Sequence, residues 1–465
     1  MSQLVVLVSI AALSLARAAP EGDAWPLALA GMALAHAVLW ARTRLLLRRV
    51  DRGDLFALRS ADLWAEGVRL ADLALFVYAL LSGGWLSAAR SLAGDLVLVD
   101  DVIALAPIVL ALAGVWWTQE PVARRVREAM FMRELDAGGP IYPSASRPAW
   151  VWFQMRHQAL FLLVPLALIS AWSESVERFW PGEPGLSLDA TRLAGALALL
   201  AVTPAIIVRV WSTVPLARGP LLEHLRSLAR AQRVRVGSVR VWRTHGSLAN
   251  AAVLGVLPRP RYLVISDLLL ESLNADEVDA VVRHEFAHLR KRHMAWLGVI
   301  VASSACVAVL LATLAERAMP ALASPDSGEV LRDPATLAGA IDLGLVVLTG
   351  VLVFGAFMLA SRTFEWQADA FAASSASRDA GSAVVRPEDA HVVAHTLGRI
   401  AHLNGVSSRR PSWRHGSIGL RQRRLGDLAG LPLGGLPIDR RARVIAWGGL
   451  AVGLASLAGV LLLGA

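Results

Sequence analysis

The residues best placed to do chemistry fall in one run, 274–293, which reads NADEVDAVVRHEFAHLRKRH. Asn274 is a good N-cap, Glu277 three residues on completes a capping-box pattern, and Asp276 and Glu277 suit the positive end of a helix dipole. Val278, Val281, Val282, Phe286 and Leu289 recur at helical spacing, which predicts an amphipathic helix over 274–293. On it His284 and His288 share one face and aim two imidazoles at a common point, a geometry that suits zinc. Glu285 projects beside that point, where it can take a proton from water.

A catalytic zinc takes three protein ligands and leaves one position for water. Six residues after His288, where a metzincin places its third histidine, the chain has Met294; His293 comes one residue early and faces elsewhere on the helix. The better candidate is Glu365 in SRTFEWQADAFA, 361–372. Asp369 lies four residues on, on the same helical face, where it can orient a ligand histidine. A solvated pair of acids is the alternative at those two positions. The metal reading implies one Zn2+ per chain on His284, His288 and Glu365, with Glu285 as general base and Asp369 behind a ligand. His391 and His395 are also four apart, but no glutamate follows His391, and with Leu397, Ile400 and Leu403 they predict a packed helix. His245 precedes a predicted strand, and His36, His157 and His224 show nothing beyond position.

The elements that must hold this set are mostly apolar. Of 465 residues 55% are hydrophobic and 18% charged, where soluble proteins keep about a quarter charged. The only cysteine, Cys306, excludes an internal disulfide framework and a thiolate zinc site. Apolar runs at 24–41, 67–89, 96–117, 158–173, 193–213, 295–315, 337–360 and 444–464 predict spans. A further run at 4–16 is a retained span or a signal segment ending in ARA at 16–18. The net charge of +9 comes almost wholly from arginines beside these runs, Lys291 being the only lysine, so we read it as topology and not as nucleic-acid binding. Basic segments 42–60 and 118–157 alternate with acidic ones at 173–192 (Glu174, Glu177, Glu183, Asp189) and 316–336 (Glu316, Asp326, Glu329, Asp333). That places 214–294 and 361–443 in the cytoplasm. Asp100, Asp101 and Asp342 lie near span ends and can reach the outer interface, and 138–148 and 320–336 read as loops.

With these residues assembled, roughly 220–430 resembles the membrane zinc metallopeptidases of the Ste24 CAAX prenyl protease and HtpX type, peptidase family M48. HEFAHLRKRH is similar to the family's H-E-x-x-H followed by a basic stretch and a histidine, and SRTFEWQAD to its third-ligand segment. The resemblance implies that 247–273 leads into the zinc helix through an edge strand on which Asn250 and Ala251 pair with substrate. It also implies that RHGSIGLRQRRL supplies His415 and Arg421, either of which can stabilise an oxyanion, although Gly416 stands where proline is usual. The implied fold is an α-helical multi-pass membrane protein with a zincin-like α+β metalloprotease domain. We expect an N-terminal transmembrane region of about six spans over 1–213, a protease domain over 214–443 interrupted by spans 295–315 and 337–360, and a C-terminal span over 444–465. The implied function is a zinc-dependent endopeptidase of the cytoplasmic face, acting on membrane proteins or membrane-tethered peptides. The alternatives are a sensor-transducer membrane metalloprotease, whose usual third-ligand segment has a cysteine where Ala368 stands, and a non-catalytic zinc-stabilised scaffold or transporter. Arginine usage points to a bacterial inner membrane.

Overall fold

A computed structural model of the chain describes every residue except 17–21, 95, 137–141, 143–144, 183–184, 256, 323–333, 410–414 and 464–465. Most of the ARA tripeptide, Glu183, Asp326, Glu329, Asp333 and much of the segments 138–148 and 320–336 lie outside the described residues. The chain begins with α1 (Ser2–Ala16), α2 (Trp25–Val50), α3 (Leu55–Leu81), α4 (Trp85–Ala93) and α5 (Val99–Asp136). Next come α6 (Arg147–Gln154), a π-helical segment (Met155–Leu160), α7 (Phe161–Phe179) and α8 (Leu186–Val210). Then follow β1 (Thr213–Pro215), α9 (Pro220–Ala231), β2 (Ser238–Trp242), β3 (Ala251–Leu254), β4 (Tyr262–Ser266) and α10 (Asp267–Ser272). The last third holds α11 (Ala275–Arg290), α12 (His293–Leu322), α13 (Pro334–Asp379), α14 (Pro387–Leu403), α15 (Ile418–Gly426) and α16 (Pro437–Leu462).

Two compact units share these elements. The first comprises Met1–Leu216, Gly237–Ala249 and Leu257–Ser272. Its helical core is built on Phe76, Leu80, Trp85, Ile108, Leu112 and Trp116. Asp54 starts α3 by accepting the Phe56 and Ala57 backbone N–H groups. At its other end Gly84, at φ +78°, turns the chain by 70° into α4, and a Cβ there would strike the Gly22 carbonyl. In the same unit β2 runs antiparallel to β1 and parallel to β4, a small mixed sheet. His157 is fully engaged in it: its Nε2 accepts the Trp242 indole N–H at 2.6 Å and its Nδ1 faces the Phe153 carbonyl at 2.5 Å.

The second unit comprises Ala217–Val236, Asn250–Val256 and Leu273–Ala465. Here α11 packs against α9, β3, α13 and α14, while α12, α13 and α16 pack against one another. Gly453 lets α16 lie close to α12, since a Cβ would overlap Ser303. Of the elements after α8, β1, β2, β4 and α10 belong to the first unit.

Among the described residues six helices are long and apolar enough to cross a membrane: Val99–Ala129, Arg147–Phe179, Leu186–Val210, His293–Ala318, Leu348–Asp379 and Pro437–Leu462. The expected run 67–89 falls on the bent pair α3–α4. Runs 4–16 and 24–41 do not reach the same standard. The first forms only a short apolar helix, and α2 carries Arg42, Arg44, Arg48 and Arg49 in its second half. The expected class is the one the chain adopts: helical and multi-pass, with a small mixed sheet.

Candidate metal centre

Helix α11 starts as the sequence predicts. The Asn274 side chain accepts the Glu277 N–H at 3.0 Å and the Glu277 carboxylate accepts the Asn274 N–H at 3.0 Å. Val278, Val281, Val282, Phe286 and Ala287 are buried, which fixes the rotation of the helix and turns His284 and His288 toward α13. Helix α13 answers with Ala368, Ala370, Ala372 and Ala373, buried residues small enough for close approach, and it carries Glu365 and Asp369.

Three side chains from these two helices converge. His284 Nε2 and His288 Nε2 stand 3.3 Å apart. Glu365 Oε2 lies 3.6 Å from the first and Glu365 Oε1 3.7 Å from the second. Ligand atoms held about 2.0–2.1 Å from a tetrahedral zinc are separated by about 3.3–3.4 Å, which matches the two Nε2 atoms, and each Glu365 oxygen faces one of them. Two ring nitrogens and a carboxylate are also the donor set such an ion prefers.

The proton positions agree. His284 Nδ1 is 2.9 Å from Asp369 Oδ1, so a hydrogen stays on Nδ1 and Nε2 is the nitrogen that can take either a second proton or a cation. Arg421, on α15, donates from Nε and Nη2 to the two Asp369 oxygens, each at 2.7 Å, and its Nη1 is 3.3 Å from Glu365 Oε2. Burial works against charge at His284, but the bonds from Asp369 and Glu365 outweigh it and raise the imidazole to about 10 in the metal-free chain. The field that draws a proton there is the field that would draw a cation. Burial pushes the His288 imidazole down to about 3, against the pull of Glu365, and so keeps it neutral. Burial, then the charge of Asp369 overriding it, leave the Arg421 guanidinium raised and permanently charged.

Glu285 is the residue beside the triangle. Burial pushes its carboxyl up to about 7, with the His284 charge opposing. Its Oε2 accepts the backbone N–H of Val253, on β3, at 3.2 Å. Ala251 is the first residue of β3, and the exposed Asn250 immediately precedes it. His415 lies on the other flank, Nδ1 2.9 Å from Glu365 Oε2, with its side chain 43% exposed. Gly416 adopts φ +73°, a conformation closed to proline, which accounts for the glycine at that position. The structure therefore brings His284, Glu285, His288, Glu365, Asp369, His415 and Arg421 to one place.

One expectation is corrected. The zinc helix does not run to residue 293: α11 ends at Arg290, Arg292 sits at φ +55°, and α12 begins at His293. The break folds His293 back onto His288, with Nδ1 to Nδ1 at 2.9 Å, where a continuous helix would have pointed it away. Gln367 and Asp439, which sequence spacing does not single out, join it there. Among the other histidines, His395 Nδ1 meets Glu277 Oε1 at 2.9 Å on the packed helix α14, and His224 Nε2 meets Asp279 at 2.7 Å. His36 pairs with Asp72 at 3.0 Å, and the His245 backbone N–H with Asp267 at 2.8 Å, both within the first unit.

Residues 221–393 match the model of a family described as Peptidase family M48. Over that segment the chain is similar to the M48 peptidases, including relatives of the CAAX prenyl protease and HtpX type. The matched segment contains α11 and the Glu365–Asp369 stretch of α13, while His415 and Arg421 follow it. The chain is 26% identical over 187 residues to the CAAX prenyl protease 1 homolog of Arabidopsis thaliana, covering 38% of this chain and 42% of that protein. It is 30% identical over 134 residues to the Protease HtpX homolog of Desulfatibacillum aliphaticivorans, covering 29% and 42%. The chain thus matches less than half the length of either relative. Among solved structures it is similar to S. mikatae Ste24p, with a TM-score of 0.48 and 16% identity over 87% of this chain and 100% of that one. The matched segment contains two of the six helices apolar enough to cross a membrane, His293–Ala318 and Leu348–Asp379.

Proposed function

We propose that this chain is a zinc-dependent endopeptidase of the cytoplasmic membrane face that cleaves membrane proteins or membrane-tethered peptides. The observation that carries the reading is the convergence of His284 Nε2, His288 Nε2 and the Glu365 carboxylate, the nitrogens 3.3 Å apart and facing the two carboxylate oxygens at 3.6 and 3.7 Å, beside the half-buried Glu285. Zinc bound there would supply a Lewis acid for water and for the scissile carbonyl. The rest is the work of the chain. Glu285, beside the ligand set, takes a proton from the attacking water and returns it to the leaving amine. The Val253 N–H orients that carboxylate, and β3, entered through Asn250 and Ala251, offers main chain to an extended peptide. Asp369 and Arg421 hold His284 and Glu365 in place. His415 and Arg421, which both face Glu365, are the candidates to stabilise an oxyanion.

Sidedness follows from charge. Arg290, Lys291 and Arg292 separate α11 from α12, and Arg440, Arg441 and Arg443 lie near the start of α16, which supports an inner-face site. Both α12 and α16 are apolar enough to span, so the site is close to lipid and favours substrates already in or on the bilayer. In a bacterial inner membrane this reading favours quality control or maturation over processing of prenylated proteins. The test is Glu285→Gln in purified protein. It should keep its zinc and lose cleavage by about 10²- to 10⁴-fold. Undiminished cleavage removes Glu285 from the mechanism, and zinc-containing wild-type protein that cleaves no peptide leaves a non-catalytic scaffold.

A further inference from the structure

Three polar groups behind the triangle, the buried His293 and Gln367 and the half-buried Asp439, have no part in the chemistry above, and they connect in sequence. His288 Nδ1 lies 2.9 Å from His293 Nδ1. His293 Nε2 lies 2.9 Å from Gln367 Oε1, and Gln367 Nε2 lies 2.5 Å from Asp439 Oδ1. The same Asp439 oxygen accepts from Lys291 Nζ at 2.8 Å. His293 is 1% exposed and lies flat on Phe364, with ring centroids 4.6 Å apart and planes at 1°.

The direction of every bond can be worked out from one end. Asp439 sits in the first turn of α16 and faces the only lysine, so it is an ionised carboxylate that can only accept. The Gln367 amide must therefore turn its NH2 to Asp439 and its oxygen to His293. That oxygen can only accept, so His293 donates from Nε2. A neutral His293 then has a lone pair at Nδ1, and His288 must donate to it from Nδ1. The His288 lone pair is left at Nε2, the atom facing His284 and Glu365. Both nitrogens of His293 are used in this way, which rules it out as a fourth ligand.

We infer that His293, Gln367 and Asp439 are positioning residues that lock His288 in its Nδ1-protonated tautomer and fix its ring for metal binding, with Lys291 anchoring the far end. The inference rests on the zinc reading of the triangle. The two ligand histidines are therefore held differently: His284 by a carboxylate clamped to Arg421, His288 by a neutral chain ending on α16.

The test uses the full chain in detergent and reads zinc affinity by competition with a chromophoric chelator. The melting temperature of the metal-free protein and the visible spectrum of the Co2+-loaded form are measured alongside. His293→Phe keeps the stack on Phe364 but removes the acceptor, and should weaken zinc binding about 10- to 100-fold with little change in metal-free melting. His293→Asn puts an acceptor oxygen where Nδ1 was and should recover most of that loss together with the wild-type Co2+ spectrum. Gln367→Met, which cuts the chain one link further out, should weaken zinc binding in the same sense. Wild-type affinity in both His293→Phe and Gln367→Met, or a His293→Asn protein no better than His293→Phe, would overturn the inference. A wild-type chain that binds no zinc, or binds it as well after His284→Ala, sinks the metal reading itself and is told apart by that result.

Discussion

Replacing Arg421 by methionine should destabilise the metal-free protein far more than the zinc-loaded one. The guanidinium is 5% exposed, makes two 2.7 Å bonds to Asp369 and stands 3.3 Å from Glu365 Oε2. Removing it strands two buried carboxylates with only the imidazoles of His284 and His415 beside them. Removing one member of a buried ion pair costs about 3–5 kcal/mol. For a domain of 150–250 residues each kcal/mol moves the melting point by roughly 2–4 °C, so the metal-free variant should melt about 6–20 °C below wild type. A divalent cation on His284, His288 and Glu365 replaces the missing positive charge, so excess zinc should recover a large part of that deficit. Intrinsic tryptophan fluorescence during a thermal ramp, with chelator and with zinc, reads both numbers. Arg421→Lys should fall between, since lysine cannot make the paired bonds to Asp369. A loss below about 1 kcal/mol without metal, or an equal loss with and without zinc, would show that Arg421 does not balance these carboxylates.

The metal-free and zinc-loaded forms should also differ in pH dependence. His284 is raised from 6.5 to about 10 and Glu285 from 4.5 to about 7, so the folded chain holds both protons more tightly than the unfolded one. Stability from these groups is complete below their unfolded values and is lost as pH rises through 7 and then 10. The metal-free protein should melt lower at pH 10 than at pH 7, and zinc, by displacing the His284 proton, should flatten that decline; a flat metal-free profile contradicts the assignment. Gly416→Pro cannot keep φ near +73° and should displace His415, reducing cleavage while zinc content stays at wild type. Unchanged cleavage in that variant would remove His415 from the site.

The helix that carries His284 and His288 was legible because it is locally specified: a reciprocal cap at Asn274 and Glu277, then an apolar stripe from Val278 to Phe286. Glu365 and Asp369 were legible as a spaced acidic pair, but that they face α11 depends on the alanines at 368, 370, 372 and 373, whose meaning appears only once two helices are in contact. His293 was misplaced because helical periodicity carries no sign of where a helix stops. Arg292 at φ +55° breaks the run, and the break reverses the direction in which His293 points. Gln367 and Asp439 could not be found by spacing, since 72 positions separate them and their bond exists only when α13 and α16 pack. For a similar reason apolar length alone does not register that α2 continues through four arginines as one helix.

The central claim is that His284, His288 and Glu365 hold one zinc ion between α11 and α13. Anomalous scattering from crystals of the purified protein, recorded on both sides of the zinc absorption edge, tests it directly. The account predicts a single zinc peak per chain bounded by the two Nε2 atoms and the Glu365 carboxylate, and its loss in His288→Ala. Zinc-replete crystals with no peak there, or a peak that survives His288→Ala, would contradict it.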